Sequence, residues 1–310
     1  MQRLLTTATL VGLLIATAAA FAITERLKLT KSPLMPGTKV SKTFSPTCGC
    51  ARGRANIVIK LRRADAITVK VLDAKRRPVR ILVVDVLTRR GFSTFRWDGR
   101  TDANTRAPDG TYQAEVHLAA QHQTILLPNK IQLDTTAPVV RDATSNREEF
   151  SPDGDKQADF VRITYQLSKP AHLQLYLEGQ RILNTNQHSA TGSVSWNGQA
   201  HGSTLPPGEY TLELGATDLA GNSTPVKERW HLQLRIRYIQ LASSKIEASA
   251  GTQFVIGVST DAKRYSWQLG ARKGFASTPV LRLLAPGRKG RYTLTVTEHG
   301  HVSRAAVFVR

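Results

Sequence analysis

The sequence predicts an all-β chain of tandem sandwich domains behind one N-terminal hydrophobic helix. Three observations carry that expectation. Val, Ile, Leu and Thr alternate with polar residues at period two in short runs, the mark of half-buried strands. Gly, Pro, Asp and Asn interrupt those runs at close intervals, as sandwiches of short strands require. Finally, a domain-sized segment is written twice.

Residues 95–112 read FRWDGRTDANTRAPDGTY. The stretch carries Phe95 and Trp97 into a turn at Asp98-Gly99, then re-enters a strand through Pro108-Asp109-Gly110 at Tyr112. Asp-Gly supplies the positive φ that tight reversals need, and Pro presets φ at a turn corner. The pattern returns as Trp196-Asn197-Gly198, followed by Pro207-Gly208-Glu209-Tyr210. Trp97 aligns with Trp196 at an offset of 99, Tyr112 with Tyr210 at 98, and Phe44-Ser45-Pro46 with Phe150-Ser151-Pro152 at 106. Such a period marks a duplicated domain; solenoid repeats run ~20 to 50 residues.

These residues resemble the immunoglobulin-like domain of the flagellar hook-capping family, the FlgD Ig-like domain, which also occurs in tandem on bacterial surface proteins and secreted hydrolases. The resemblance rests on W-[DN]-G-x followed by P-x-G-x-Y, on FSPDGD opening the second copy, and on the tail Asp218-Leu219-Ala220-Gly221-Asn222. It spans residues 44–234 and implies tandem immunoglobulin-like β-sandwiches. About function it implies little, because such folds host many unrelated roles.

In chain order, residues 4–23 form an unbroken run of twenty apolar and small residues behind Arg3. About 20 residues span a bilayer, while Ala20-Phe21-Ala22 is also an A-x-A cleavage pattern. Residues 1–23 therefore read as a signal peptide or a membrane anchor, and both send the remainder across a membrane. Arg26, Lys28, Lys31, Lys39 and Lys42 behind the run oppose that orientation under the positive-inside rule. The extracytoplasmic expectation rests on the cleavage pattern and the resemblance. Residues 24–43, with Pro33, Pro36 and Gly37, read as a tether.

The first domain, 44–138, holds the only cysteines, Cys48 and Cys50. An exported chain with two cysteines most simply pairs them; intermolecular pairing and metal capture by two thiolates are the alternatives. Ile57, Ile59 and Leu61, then Ile67, Val69 and Val71, alternate, and residues 81–87 form a nearly continuous apolar strand. The Thr-rich stretch ending in Pro138 closes the domain.

The second domain, 139–234, opens with Asp153, Asp155 and Asp159 around Gly154. Carboxylates converging through a glycine turn suit a hard cation that takes six to eight oxygens, so these three are candidate calcium ligands. The resemblance supports this, since related openings reading FSPNGDGxND are associated with calcium; Lys156 departs from that pattern. An Asp-rich turn whose side chains cap backbone amides accounts for the same residues equally well. Trp97, Trp196, Tyr112 and Tyr210 read as core and corner elements, with Asp98, Gly99, Gly110, Asn197, Gly198 and Gly208 shaping their turns. Carbohydrate stacking by the tryptophans is the alternative. The last segment, 235–310, lacks the Trp-Asp-Gly turn but alternates as one more small sandwich, with Trp267 expected at its centre and Gly290-Arg291-Tyr292 echoing the earlier corners.

Net charge is +20, from 43 Lys and Arg against 23 Asp and Glu. It is unevenly placed: 17 against 8 over residues 44–141, 7 against 11 over 142–234, and 13 against 3 over 235–310, or +9, −4 and +10. Basic faces suit cell-envelope partners such as anionic wall polymer or lipid headgroups, besides membrane attachment through an uncleaved N-terminus. Nucleic acid is not expected, because no arginine cluster alternates with stacking aromatics. The sequence holds no G-x-S-x-G, H-E-x-x-H, P-loop or G-x-G-x-x-G, and His299 and His301 read as solvated residues of a hairpin tip. The expected function is a non-catalytic, extracytoplasmic scaffold, adhesion or assembly module of the bacterial cell envelope. An accessory glycan- or wall-polymer-binding module of a secreted enzyme system is the alternative.

Overall fold

The computed structural model describes the backbone of residues 2–29 and 32–310 and the side chains of residues 9–23 and 32–310. A helix spans Gln2–Leu29, and among the described residues after it there are strands, turns and loops with one 3-10 turn, Val226–Glu228. The leader or anchor expected over residues 1–23 lies partly outside the described residues. Among the described residues, no helix is long and apolar enough to cross a membrane. The chain divides into two compact units, Met1–Thr135 and Thr136–Arg310.

The first unit is a sandwich of a three-stranded sheet on a five-stranded one. Lys39–Val40, Ala55–Leu61 and Gly91–Trp97 form the smaller sheet. The larger runs Thr43–Phe44, Gln123–Leu133, Gly110–Leu118, Asp65–Leu72, Pro78–Thr88. Alternation puts Ile57, Ile59 and Leu61 against Ile67, Val69 and Val71, all fully buried. Trp97 fills the centre with no exposed surface, its ring 5.3 Å from that of Phe44 and 4.8 Å from that of Tyr112. Its indole N–H donates to the Arg100 carbonyl at 2.8 Å, and the Tyr112 hydroxyl donates to the Pro108 carbonyl at 2.6 Å. Both turns are thereby tied to core side chains.

The apolar run 81–87 forms a strand as expected, and much of it is exposed. It lies in Pro78–Thr88, at the edge of the larger sheet, where Val84 and Leu87 are 61% and 77% exposed. Its register against Asp65–Leu72 shifts repeatedly, and Asp85 sits at φ +47° with its carboxylate accepting from Thr68 Oγ1. Bulges of this kind re-aim side chains, so apolar residues that a regular strand would bury face outward.

The second unit holds two hydrophobic clusters, one from residues 140–238 and one from residues 239–309. In the first, a single 17-residue strand, Val161–Leu177, runs through both layers. Its leading half pairs with Ser189–Trp196 and Val140–Ser145, and its trailing half with Gly208–Thr217 and Gln180–Asn184. The Trp-Asn-Gly turn repeats the geometry of the first unit: the Trp196 indole donates to the Gln199 carbonyl at 2.9 Å, Phe150 lies 5.5 Å away, and the Tyr210 hydroxyl donates to the Pro206 carbonyl at 2.8 Å.

The module over residues 239–309 pairs a three-stranded sheet (Gln240–Leu241, Gln253–Ser259, Val280–Leu284) with a five-stranded one. The latter is ordered Lys245–Ala248, His301–Val309, Gly290–Glu298, Tyr265–Leu269, Arg272–Ala276. Tyr292 makes the same corner, donating to the Arg288 carbonyl at 3.0 Å. Trp267 is not its central residue. It is half-buried and lies over Gly274, where an added Cβ would come within 2.8 Å of the indole, while Tyr265 and Leu269 on the same strand are buried.

Two substitutions separate turn strain from packing. Gly198 (φ +71°) and Gly202 (φ +79°) share left-handed geometry, but an added Cβ at Gly198 would meet Pro152 at 2.8 Å, whereas at Gly202 it meets nothing. Gly202→Ala should cost about 1–2 kcal/mol, and Gly198→Ala a further ~1–3 kcal/mol for the clash. Urea unfolding midpoints of the two variants check the order.

Candidate functional site

The loop opening the second copy follows strand Glu149–Phe150, and its own carboxylates fold it. Asp153 accepts from the Asp155 amide at 3.2 Å and from Ser151 Oγ at 3.1 Å, and Asp155 accepts from the Gln157 amide at 2.6 Å. Asp159 accepts from the amides of Gly154 at 2.7 Å and Lys156 at 2.8 Å, one on each oxygen. Short acidic side chains bonding nearby amides are what stabilise such tight reversals. Lys156, at φ +70°, is exposed.

Of the three expected cation ligands, Asp153 and Asp155 come together. Asp159 is occupied by the turn, and the third carboxylate is Glu298, which the sequence reading did not name. One oxygen from each of Asp153, Asp155 and Glu298 lies within 4.8 Å of the others. Glu298 ends strand Gly290–Glu298 of the following module and pairs with His301 across the hairpin. It is 4% exposed, and neither carboxylate oxygen has a hydrogen-bond partner among the described residues. His299 Nε2 stands 3.9 Å from Oε1. Burial first, then the neighbouring Asp153, pushes Glu298 up to about 8. Asp261 is pushed up to about 6, again chiefly by burial, with Asp155 and Asp153 adding repulsion. Oxygen donors alone, with excess negative charge, make an arrangement suited to a hard cation. No local pattern announces Glu298; only the fold brings it to the loop.

The hairpin tip is held there by its neighbours. His301 is half-buried rather than solvated: its ring stacks on Tyr238 at 3.5 Å and 5°. Tyr238 belongs to the second copy's core and donates its hydroxyl to the Leu205 carbonyl at 3.1 Å. Ser303 Oγ accepts from the Leu241 amide at 3.0 Å. Stacking against a fixed tyrosine explains why this histidine departs from the expected surface role.

In the first unit, Cys48 and Cys50 are joined by a disulfide on an exposed loop. Beside it lies a depression of 450 Å³ whose wall includes Arg54, Asn56 and Arg96. Trp97 and Trp196 are 0% and 3% exposed, so neither offers a ring face to a sugar. Asp218, in the tail after Gly208–Thr217, accepts from the Asn222 amide and side chain and pairs with Lys169 at 2.7 Å.

With the turns, disulfide and core in place, the family comparison is specific. Residues 45–121 match the FlgD Ig-like domain. The matched stretch contains the disulfide loop, the first Trp-Asp-Gly turn and the Tyr112 corner. The basal-body rod modification proteins FlgD of Salmonella typhimurium and Salmonella typhi are each 27% identical to this chain over 130 residues, 42% of it and 55% of theirs. The chain thus spans about half the length of those relatives. Among solved structures, the I-band fragment I67-I69 from titin covers 90% of this chain and 99% of its own at 12% identity and a TM-score of 0.31. SGBP-B of the Bacteroides ovatus mixed-linkage glucan utilization locus, in complex with a mixed-linkage heptasaccharide, covers 82% of this chain and 63% of its own at 14% identity and a TM-score of 0.24.

The disulfide closes a very small ring, so the chain entropy it removes is modest. Cys48→Ser combined with Cys50→Ser should lower stability by about 1–2 kcal/mol, read as a shift of the urea midpoint. Lys169→Met should cost more, ~3 kcal/mol, because it leaves the buried Asp218 carboxylate without its counter-charge.

Proposed function

We propose that this chain is a non-catalytic, extracytoplasmic module of the bacterial cell envelope, held at or released from the membrane by its N-terminus and acting in scaffolding, adhesion or assembly. The observation that carries the reading is the FlgD Ig-like match over residues 45–121, in the domain that also bears a disulfide. Disulfides persist in oxidising compartments, which supports export. The edge strand Pro78–Thr88, with Val84, Val86 and Leu87 outward, supports assembly, because an apolar strand at the edge of a sheet can take a further chain beside it.

A binding role toward anionic wall polymer or lipid headgroups draws support from the +9 charge of residues 44–141 and from Arg54 and Arg96 beside the disulfide loop. The second reading, an accessory polymer-binding module of a secreted enzyme system, shares that surface and differs only in its partner.

Fractionation of the full-length protein from a bacterial host, with thiol labelling before and after reduction, tests the placement. Recovery in the envelope or medium, with thiols that label only after reduction, is the expected result; cytosolic recovery with freely labelling thiols would sink the proposal. Pelleting with anionic vesicles should retain the protein at low salt and release it as ionic strength rises, because exposed charges are screened over ~8–10 Å at physiological salt. Arg54→Ala with Arg96→Ala should weaken that retention without changing the urea midpoint.

A further inference from the structure

We propose that Asp153, Asp155 and Glu298 seat one divalent cation of the calcium class, which fastens the loop opening the second copy to the hairpin tip of the following module. This goes beyond the envelope role, which does not require it. The chain contains three buried acidic residues among those described: Asp65, Asp218 and Glu298. Two are provided for. Asp65 accepts from the Ala120 amide at 2.9 Å and the Gln121 side chain at 3.0 Å, and Asp218 has Asn222 and Lys169. Glu298, as deeply buried, has no donor on either oxygen and faces two further carboxylates instead. A buried carboxylate must be neutralised, by a proton or by a cation. Three carboxylates converging on one point favour the cation from solution.

Its class follows from the donors. All three are oxygens, two of them on a loop that the aspartates already hold in shape and the third at the end of a paired strand, so the ligands need little reordering on binding. Calcium accepts six to eight oxygens at adaptable angles, and water can complete the shell on the exposed side, where Asp153 and Asp155 are only half-buried. Transition metals would call for imidazole or thiolate, and His299 points from an exposed position at 3.9 Å from Glu298. The Tyr238–His301 stack places the two halves of the site before any ion arrives.

Thermal unfolding of the full-length protein, stripped with EDTA and then given calcium chloride, tests this. Extracellular modules bind calcium with Kd on the order of 10⁻⁴–10⁻³ M. At about ten times Kd the Tm should rise by roughly 3–6 °C. Glu298→Gln should abolish the rise and, in EDTA, give a Tm above that of the parent, since it removes an unpaired buried acid; Asp159→Asn should keep the calcium response. Hydrogen exchange should show calcium protecting residues 298–301 together with residues 153–157.

An unchanged Tm in calcium, or a full response in Glu298→Gln, would overturn the site, and the arrangement would then be one in which Glu298 keeps a proton and donates it to Asp153. Protection confined to residues 153–157 would overturn the bridge. A rise with zinc but not with calcium would overturn the assignment of class.

Discussion

The hydrogen bond from a buried tryptophan to its own turn is the constraint on which both copies rest. An indole placed at the centre of a sandwich must find an acceptor for its N–H, and in Trp97 and Trp196 that acceptor is the carbonyl three residues on. Reaching it forces the chain to reverse at once, which requires glycine at positive φ at Gly99 and Gly198. Those glycines in turn let the turn backbone lie against Phe44 and Pro46, or Phe150 and Pro152. The loop after each Phe-Ser-Pro therefore starts from a fixed place. In one copy that loop carries the disulfide and in the other the acidic turn. The module over residues 239–309 has no such tryptophan and keeps only the tyrosine corner, with Tyr265 donating to the Thr278 carbonyl as a second anchor.

Much of this was legible in the sequence because it is local. Strand alternation, the Trp-Asp-Gly and Pro-x-Gly-x-Tyr turns and the duplication are all written within a few residues of the atoms they position. What was not legible depends on neighbours far along the chain. Residues 81–87 are apolar enough to suggest burial, yet bulges against Asp65–Leu72 and an edge position turn several of them outward. Trp267 alternates correctly with Tyr265 and Leu269 but sits above Gly274 toward the margin of its sheet, and alternation cannot distinguish centre from margin. Asp159 fits a ligand spacing, but each of its oxygens accepts from an amide of its own turn. Glu298 had no signal at all, since its role comes from the packing of one module's hairpin against another's loop.

Charge shows the same division between composition and place. The chain carries a net +20, yet among the described residues three carboxylates converge where an acidic segment meets a basic one. Net charge governs long-range attraction to anionic surfaces. The local deficit of donors around Glu298 depends on burial, and distant lysines and arginines do not relieve it. Surface attraction and site chemistry in this protein thus answer to different residues.

The strand Val161–Leu177 gives the second copy a property that the first lacks. In the first unit the corresponding path is divided between Ala55–Leu61 and Asp65–Leu72, so each layer owns its strand. Where one continuous segment is stitched into both layers, its hydrogen bonds to Ser189–Trp196 and to Gly208–Thr217 share one backbone, so a slip of that strand along its own axis disturbs both sheets at once.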